Sequence, residues 1–225
     1  MICFAKLNLY YSGEIQNEIQ RFSTSWAPHF NTTHYAGEWT VLPLRSPGGK
    51  NSIIPDLNGE NEFADTENMS SFPALKVLLN TLQCPIMSVR FLNLKAGAVI
   101  KPHRDPELSF EQGEARLHFP IITNPCVEFY VGDDRVLMNE RECWYINANL
   151  THRVANYGTS DRIHLVVDCK VNDWLEQIFE QADKKCKADE INTQKQRQII
   201  EALKLQNTET SLALAHKLEQ ELSHG

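Results

Sequence analysis

The chain has 225 residues, 42% of them apolar and 9% aromatic, enough to close a core and to exclude wholesale disorder. Lys and Arg number 22 against 29 Asp and Glu, a formal net charge of -7. So acidic a chain lacks the cationic face that counterion release requires, which sets nucleic acid aside as a main partner. No stretch approaches the ~18 uninterrupted apolar residues of a membrane span, so no membrane partner is expected.

Taken in order, the N-terminus MICFAKLNLYY reads as a first strand near Ile2 to Tyr10 rather than a signal peptide, because Lys6 interrupts it. A helix from about Gly13 to Trp26 and a strand over Trp39 to Leu44 follow. Ser46 to Asn68, with Pro47, Gly48, Gly49, Pro55 and Gly59, reads as a long loop able to act as a lid. Pro73 suits the first turn of a helix to Leu82. From Cys84 the texture changes to short β runs: Ile86–Leu94, Val99–His103, Ala115–Thr123, Cys126–Val131, Arg135–Met138, Glu142–Ile146, His152–Asn156 and Arg162–Asp168. Ala96-Gly97, Asn124-Pro125, Gly132-Asp133-Asp134 and Tyr157-Gly158 are the turns between them. Strands so spaced predict a β-sandwich or a jelly-roll barrel.

Beyond Val171 the β signals stop. Asn172-Asp173 caps a helix beginning at Trp174, and further helices are expected over Gln194 to Leu205 and Thr208 to Leu222. Leu214, Leu218 and Leu222 give the last one an apolar stripe, suited to core packing or to a second copy of the chain. The expected organisation is a domain over 1–170, in which a mixed α/β region (1–83) precedes a β core (84–170), and a helical extension over 171–225. The six cysteines (Cys3, Cys84, Cys126, Cys143, Cys169, Cys186) form no CxxC pair, so reduced thiols in a cytoplasm are expected.

The chemistry concentrates in three residues. In PHRDP, His103 and Asp105 are two apart and project to one side of a strand, while Arg104 points away. His152 opens a later strand that a barrel can return to the same mouth. Two histidines and a carboxylate are the facial triad of non-heme Fe(II) oxygenases, which leaves neighbouring coordination positions open. In RIHLVVD, Arg162, His164, Val166 and Asp168 share one face, and Ile163, Leu165 and Val167 pack outward. In ARLHFPIIT, Arg116 and His118 share a face. Inward arginines need anions; a dicarboxylate co-substrate is one candidate, and a salt bridge to Glu114 or Asp168 is the other. Phe119, Phe129 and Trp144 are either site wall or ordinary core.

IKPHRD, ARLHFPIIT, ECWYINANLTHRVANYG and DRIHLVVDC, in this order, resemble the aspartyl/asparaginyl β-hydroxylase family, and are most similar to its bacterial single-domain members and the related proline hydroxylases. The resemblance covers roughly Pro85 to Leu175. It implies a double-stranded β-helix, a cupin-like jelly roll, with flanking helices, and an Fe(II)- and 2-oxoglutarate-dependent dioxygenase that consumes O2. It makes His103, Asp105 and His152 the iron ligands, and puts Arg116, His118, Arg162 and, more loosely, Trp39 around 2-oxoglutarate, with Arg45 a candidate for a substrate carboxylate. The animal members lack the carboxylate ligand that Asp105 supplies here, and Leu92 stands where they place a serine. Asp105 also argues against halogenation. The implied substrate is a free amino acid or an Asp/Asn-type peptidyl side chain. Two other readings remain: a cupin-like binding module acting through its C-terminal helices, and a metal-dependent isomerase or other oxygenase in which Arg116 and Arg162 are structural.

Overall fold

Strands whose alternate residues are apolar must bury one face, and strands apolar on nearly every residue must bury two. The computed structural model, which describes residues 1–24, 26–51, 61–105, 108–186 and 190–224, shows both kinds. The N-terminal region supplies β1 (Ile2–Leu7), α1 (Glu14–Arg21), β2 (Ala27–Pro28), β3 (Tyr35–Ala36), β4 (Trp39–Pro47), β5 (Phe63–Asp65) and α2 (Pro73–Thr81). Then come β6 (Ile86–Leu94), β7 (Val99–His103), β8 (Glu114–Ile122), β9 (Val127–Val131), β10 (Asp134–Arg135), β11 (Cys143–Ile146), β12 (His152–Asn156) and β13 (Arg162–Lys170). The chain ends with α3 (Asp173–Glu180), β14 (Asp183–Cys186), α4 (Glu190–Gln206) and α5 (Glu209–His224).

From β6 to β13 the chain passes back and forth between two antiparallel sheets, the β9–β10 hairpin excepted. One sheet runs β11-β8-β13-β6 and the other β10-β9-β12-β7. This is the strand order of a double-stranded β-helix. On the larger sheet β14 and β1 extend one side and β4 and β2 the other, with β5 on β4; β3 extends the smaller sheet beside β7. Gly97 and Gly132 make two of the connecting turns at φ 78° and 58°, a left-handed backbone that glycine adopts without a Cβ clash.

β13 shows how the sequence divides the interior. Ile163, Leu165, Val167 and Cys169 join a core beneath the helices, with Ile15 and Ile19 of α1, Leu75 and Leu78 of α2, and Leu175 and Phe179 of α3. The alternate residues Arg162, His164 and Asp168 are also buried, on the strand's other face. A second apolar cluster includes Trp39, Leu94, Ile100, Phe129, Val131 and Val154. Phe119 belongs to the helix-side core, edge-on to Tyr11 at 5.9 Å, which selects ordinary core over site wall for this residue.

Differences from the sequence reading have local causes. α1 stops at Arg21 instead of Trp26 because Phe22 turns in against Phe72 (5.1 Å) and Trp26 against Phe91 (6.0 Å). β10 is two residues long, since Val136 turns inward while its N–H still reaches the Phe129 carbonyl at 2.8 Å. The expected loop over 46–68 contains β5, which pairs Arg45 with Asp65 and Pro47 with Phe63. Its residues 52–60, where a lid would centre, lie outside the described residues.

The chain divides into two compact units, Ile2–Lys185 and, with Met1, Cys186–Gly225. α3 belongs to the first. Its Asn172 cap accepts the Leu175 N–H at 3.1 Å, and Phe179 stacks on Phe110 at 4.2 Å. The second unit is the α4–α5 hairpin, bridged by Lys204 and Glu219 at 2.6 Å. Among the described side chains of α5, Ser211 and Ala215 are buried, Leu218 is half-buried and Leu214 is 48% exposed, so Leu214 lies off the packed face; the Leu222 side chain lies outside the described ones. Among the described residues, no helix is long and apolar enough to cross a membrane.

If α3 belongs to the barrel's core, Phe179→Ala should cost about 3–5 kcal/mol, the usual range for truncating a buried aromatic. A urea titration would show the lowered midpoint; an unchanged midpoint would mean that α3 is an appendage.

Candidate metal centre

β-sheet register brings the three candidate metal-ligating side chains together. β12 pairs with β7 so that His152 lies directly opposite His103, their ring centroids 4.2 Å apart. Asp105 follows β7 by two residues, anchored by its N–H to the Ala148 carbonyl at 2.9 Å. His103, Asp105 and His152 each offer a ligand atom, and these atoms lie within 4.8 Å of one another. Both imidazoles are oriented by their backbones: Nδ1 of His103 donates to the Lys101 carbonyl (2.8 Å) and Nδ1 of His152 to the Leu150 carbonyl (3.0 Å). Each ring is thereby held as the tautomer whose Nε2 lone pair is free for a metal. Burial and the neighbouring His103 push the His152 pKa down to about 4, which keeps it neutral.

Asp105 is fixed from the other sheet. Arg116 Nη1 donates to its Oδ2, leaving Oδ1, which lies 4.0 Å from His103 Nε2. The rest of the Arg116 fork is taken by Asp168, Nε to Oδ1 at 2.7 Å and Nη2 to Oδ2 at 3.1 Å. Asp168 also accepts from Arg90 Nη1 (3.0 Å) and Ser88 Oγ (2.8 Å). Burial opposes charging Asp168, but Arg116 and Arg90 outweigh it and hold its carboxyl far below the usual carboxylate range. The sequence left two partners open for Arg116. The structure selects Asp168; Glu114 pairs instead with Lys170 at 3.4 Å.

Arg162 differs. It is 2% exposed, no carboxylate pairs with it among the described residues, and burial alone pulls its pKa down to about 9. Nη2 donates to His164 Nδ1 at 2.9 Å, while Nε has no hydrogen-bond partner. Phe129 stands between it and the trio, stacked 6.4 Å from His152 and 5.7 Å from the Arg162 guanidinium carbon. His118 is buried with Nδ1 unpartnered, its ring 6.0 Å from His164. Arg162, His164 and Phe129 line a cavity of about 320 Å³ with Asn124, Val136 and Met138. Leu92 lies opposite His164 in the β6–β13 register, so an imidazole faces the position that lacks a serine.

Trp39 is buried at the edge of this interior, stacked on His29 at 3.6 Å, with its indole N–H unpartnered. Trp144 is partly buried and donates to Glu142 at 2.8 Å. Arg45 pairs with Asp65 at 3.0 Å and donates to the Ile86 carbonyl; none of its described contacts reaches the trio. Sequence reasoning missed Ser88, Arg90, His29 and His34. The first two were legible, because Ser88, Arg90, Leu92 and Leu94 alternate in SVRFLNL as Arg162 and His164 do in β13. His29 and His34, whose ring lies 5.2 Å from His103, sit among short elements that no periodicity announces.

Asp168→Asn should destabilise the fold by about 3–5 kcal/mol, because it leaves buried guanidinium groups unpaired. Since the folded pKa is depressed, this stabilisation is complete above the unfolded pKa of ~3.9 and is lost as pH falls below it. His29 acts in a higher window. Burial pushes its pKa down to about 4, so acid costs stability between about pH 6.5 and 4, as the unfolded imidazole takes up the proton. Urea midpoints measured across pH should fall in that window, and less steeply in His29→Gln.

Comparison with known proteins gives the chain its family. Residues 12–171 match the aspartyl/asparaginyl beta-hydroxylase family. L-proline cis-3-hydroxylase 1 of Streptomyces sp is 31% identical over 139 residues, 59% of this chain and 47% of that protein. L-proline cis-4-hydroxylase of Rhizobium meliloti is 26% identical over 153 residues, 67% of this chain and 52% of that protein. The chain thus spans about half the length of the curated relatives it matches. A solved 2OG-Fe(II) oxygenase family oxidoreductase from Burkholderia pseudomallei overlaps 70% of this chain and 77% of its own, at 13% identity and a TM-score of 0.47. With the matched segment running from the first helix through the last barrel strand, the chain belongs to the aspartyl/asparaginyl beta-hydroxylase family, a family of Fe(II)- and 2-oxoglutarate-dependent hydroxylases.

Proposed function

We propose that this protein is an Fe(II)- and 2-oxoglutarate-dependent dioxygenase that hydroxylates a C–H bond of a free amino or imino acid, or of an Asp/Asn-type peptidyl side chain, releasing succinate and CO2. One observation carries the reading. A fully buried guanidinium, Arg162, has no carboxylate among the described residues and an unspent Nε, and the Phe129 ring lies against both it and His152 of the trio. An isolated buried cation is costly, and a dicarboxylate whose far end meets Arg162 removes that cost.

The donor set suits Fe(II): two imidazole nitrogens and one carboxylate oxygen, all within 4.8 Å of one another. His103 Nε2, Asp105 Oδ1 and His152 Nε2 would hold it, and when bound with 2-oxoglutarate it supplies the activation of O2 for C–H oxidation. The protein's own groups do the positioning. Lys101 and Leu150 carbonyls fix the two rings; Arg116, braced by Asp168, keeps one Asp105 oxygen occupied and leaves the other as the one that would hold the metal. His164 accepts from Arg162 Nη2 at Nδ1, which aims the guanidinium and leaves Nε2–H as a further donor beside it. Arg116 therefore acts through Asp105, and Arg162 is the residue that meets the co-substrate. His118 and Trp39 carry unpartnered N–H or ring nitrogen atoms that suit the same ligand. The names of the curated relatives bring a free imino acid forward as a substrate.

Anaerobic addition of Fe(II) and then 2-oxoglutarate should produce a weak visible charge-transfer band that His103→Ala abolishes. Arg162→Gln should raise the 2-oxoglutarate dissociation constant by about 10-fold or more, as expected for a lost charge-assisted contact. A folded protein with no band would return the barrel to a binding role. A band with unchanged affinity in Arg162→Gln would leave the iron site standing and remove Arg162 from the co-substrate.

A further inference from the structure

The α4–α5 hairpin buries little apolar surface within itself. Asn207 turns the chain at φ 49°, and Thr208 and Ser211 then cap α5 reciprocally: the Ser211 N–H donates to Thr208 Oγ1 at 3.1 Å and the Thr208 N–H to Ser211 Oγ at 3.0 Å. Of the hairpin's described side chains only Ile200, Ser211 and Ala215 are buried, and Ser211 is spent on the cap. Helices of this length draw most of their stability from tertiary packing, and a unit of about 40 residues usually needs a staple or a second copy to supply it.

The missing apolar surface lies beside that seam. Ile199 and Leu203 are one turn apart on α4, and Leu214 and Leu218 one turn apart on α5. Ile199 is 45% and Leu214 48% exposed, while Leu203 and Leu218 are half-buried. Each pair consists of the residue just before and the residue three after the buried one, Ile200 on α4 and Ala215 on α5. Both are therefore rotated from the seam by the same hand, and in an antiparallel hairpin that sets all four on one open side. Leu212, 42% exposed, lies on the opposite side of the seam.

We propose that this open side is a dimer interface, on which two copies of the chain pack their hairpins face to face into a four-helix bundle, α4 of each against α5 of the other. Charge selects a second copy as the occupant. α4 carries Lys195, Arg197 and Lys204 against Glu190 and Glu201, whereas α5 carries Glu209, Glu219 and Glu221 against Lys217. One helix is net cationic and the other net anionic, so the hairpin is its own electrostatic complement under a two-fold axis running along the bundle. The Lys204–Glu219 pair at 2.6 Å already joins the two signs within one copy. Setting α4 on α4 and α5 on α5 would oppose like charges, which disfavours the alternative two-fold packing.

Sedimentation velocity of the full chain at micromolar concentration should show a dimer. Ile199→Glu and Leu214→Glu, which place a charge on the open side, should each raise the dissociation constant by about 10-fold or more. Leu212→Glu, across the seam, should leave the dimer intact. A second measurement needs no variant. Unlabelled and heavy-isotope protein are dissociated by dilution, mixed, reconcentrated and treated with a lysine-reactive cross-linker. Lys204–Lys217 links of mixed mass should form, because they join α4 of one copy to α5 of the other. A dimer that both open-side variants leave intact, one that Leu212→Glu disrupts as strongly, or one that yields no mixed-mass links would each overturn the assignment. A monomer at every concentration would also overturn it, and would leave the rest of the chain or a different protein as the cover.

Discussion

The site depends on one buried carboxylate. Asp168 accepts from Arg116 and Arg90, on the strands to either side of its own, so a single residue of β13 sets the positions of two cations. Arg116 passes that placement across to the other sheet by holding Asp105. Buried ion pairs add little net stability over apolar packing, because desolvation consumes most of the attraction. What this network contributes is geometry: with Asp168 in place, Asp105 has one oxygen committed and one free.

The counterpart is Arg162, whose charge nothing in the described interior offsets. A guanidinium in that state lowers the stability of the ligand-free protein, and an anion that binds it returns the stability by mass action. The two arginines that look alike in the sequence thus differ in kind. Arg116 has carboxylate partners within the chain, Asp105 and Asp168; Arg162 has none among the described residues.

Period-two reasoning made much of this legible. The faces of β13 and β8, the pairing of His103 with Asp105 across Arg104, and the eight-strand barrel follow from alternation and from turns at Gly97 and Gly132. The same rule applied to SVRFLNL would have found Ser88 and Arg90. Other features could not be read that way. Which carboxylate meets Arg116 depends on the β8–β13 register, where Asp168 lies opposite Arg116 and Glu114 opposite Lys170. His29 and His34 reach the mouth from short elements whose path is set by tertiary contacts, Trp39 above all. The stripe on α5 was legible as a face but not as to what covers it: Leu214 is exposed and Leu218 half-buried, while Ser211 and Ala215 are the buried residues described there.

The division of labour between the two sheets has a dimensional consequence. Both histidines of the trio ride on the small sheet, on β7 and β12, while Arg162, His164 and His118 all belong to the large one, on β13 and β8. The span from the trio to the guanidinium is therefore the gap between sheets, where Phe129 lies against both His152 and Arg162. The barrel's girth is a ruler. On the proposed reading it would measure the carbon chain of a keto acid that touches both ends, and a side chain one methylene shorter or longer in that gap would reset its scale.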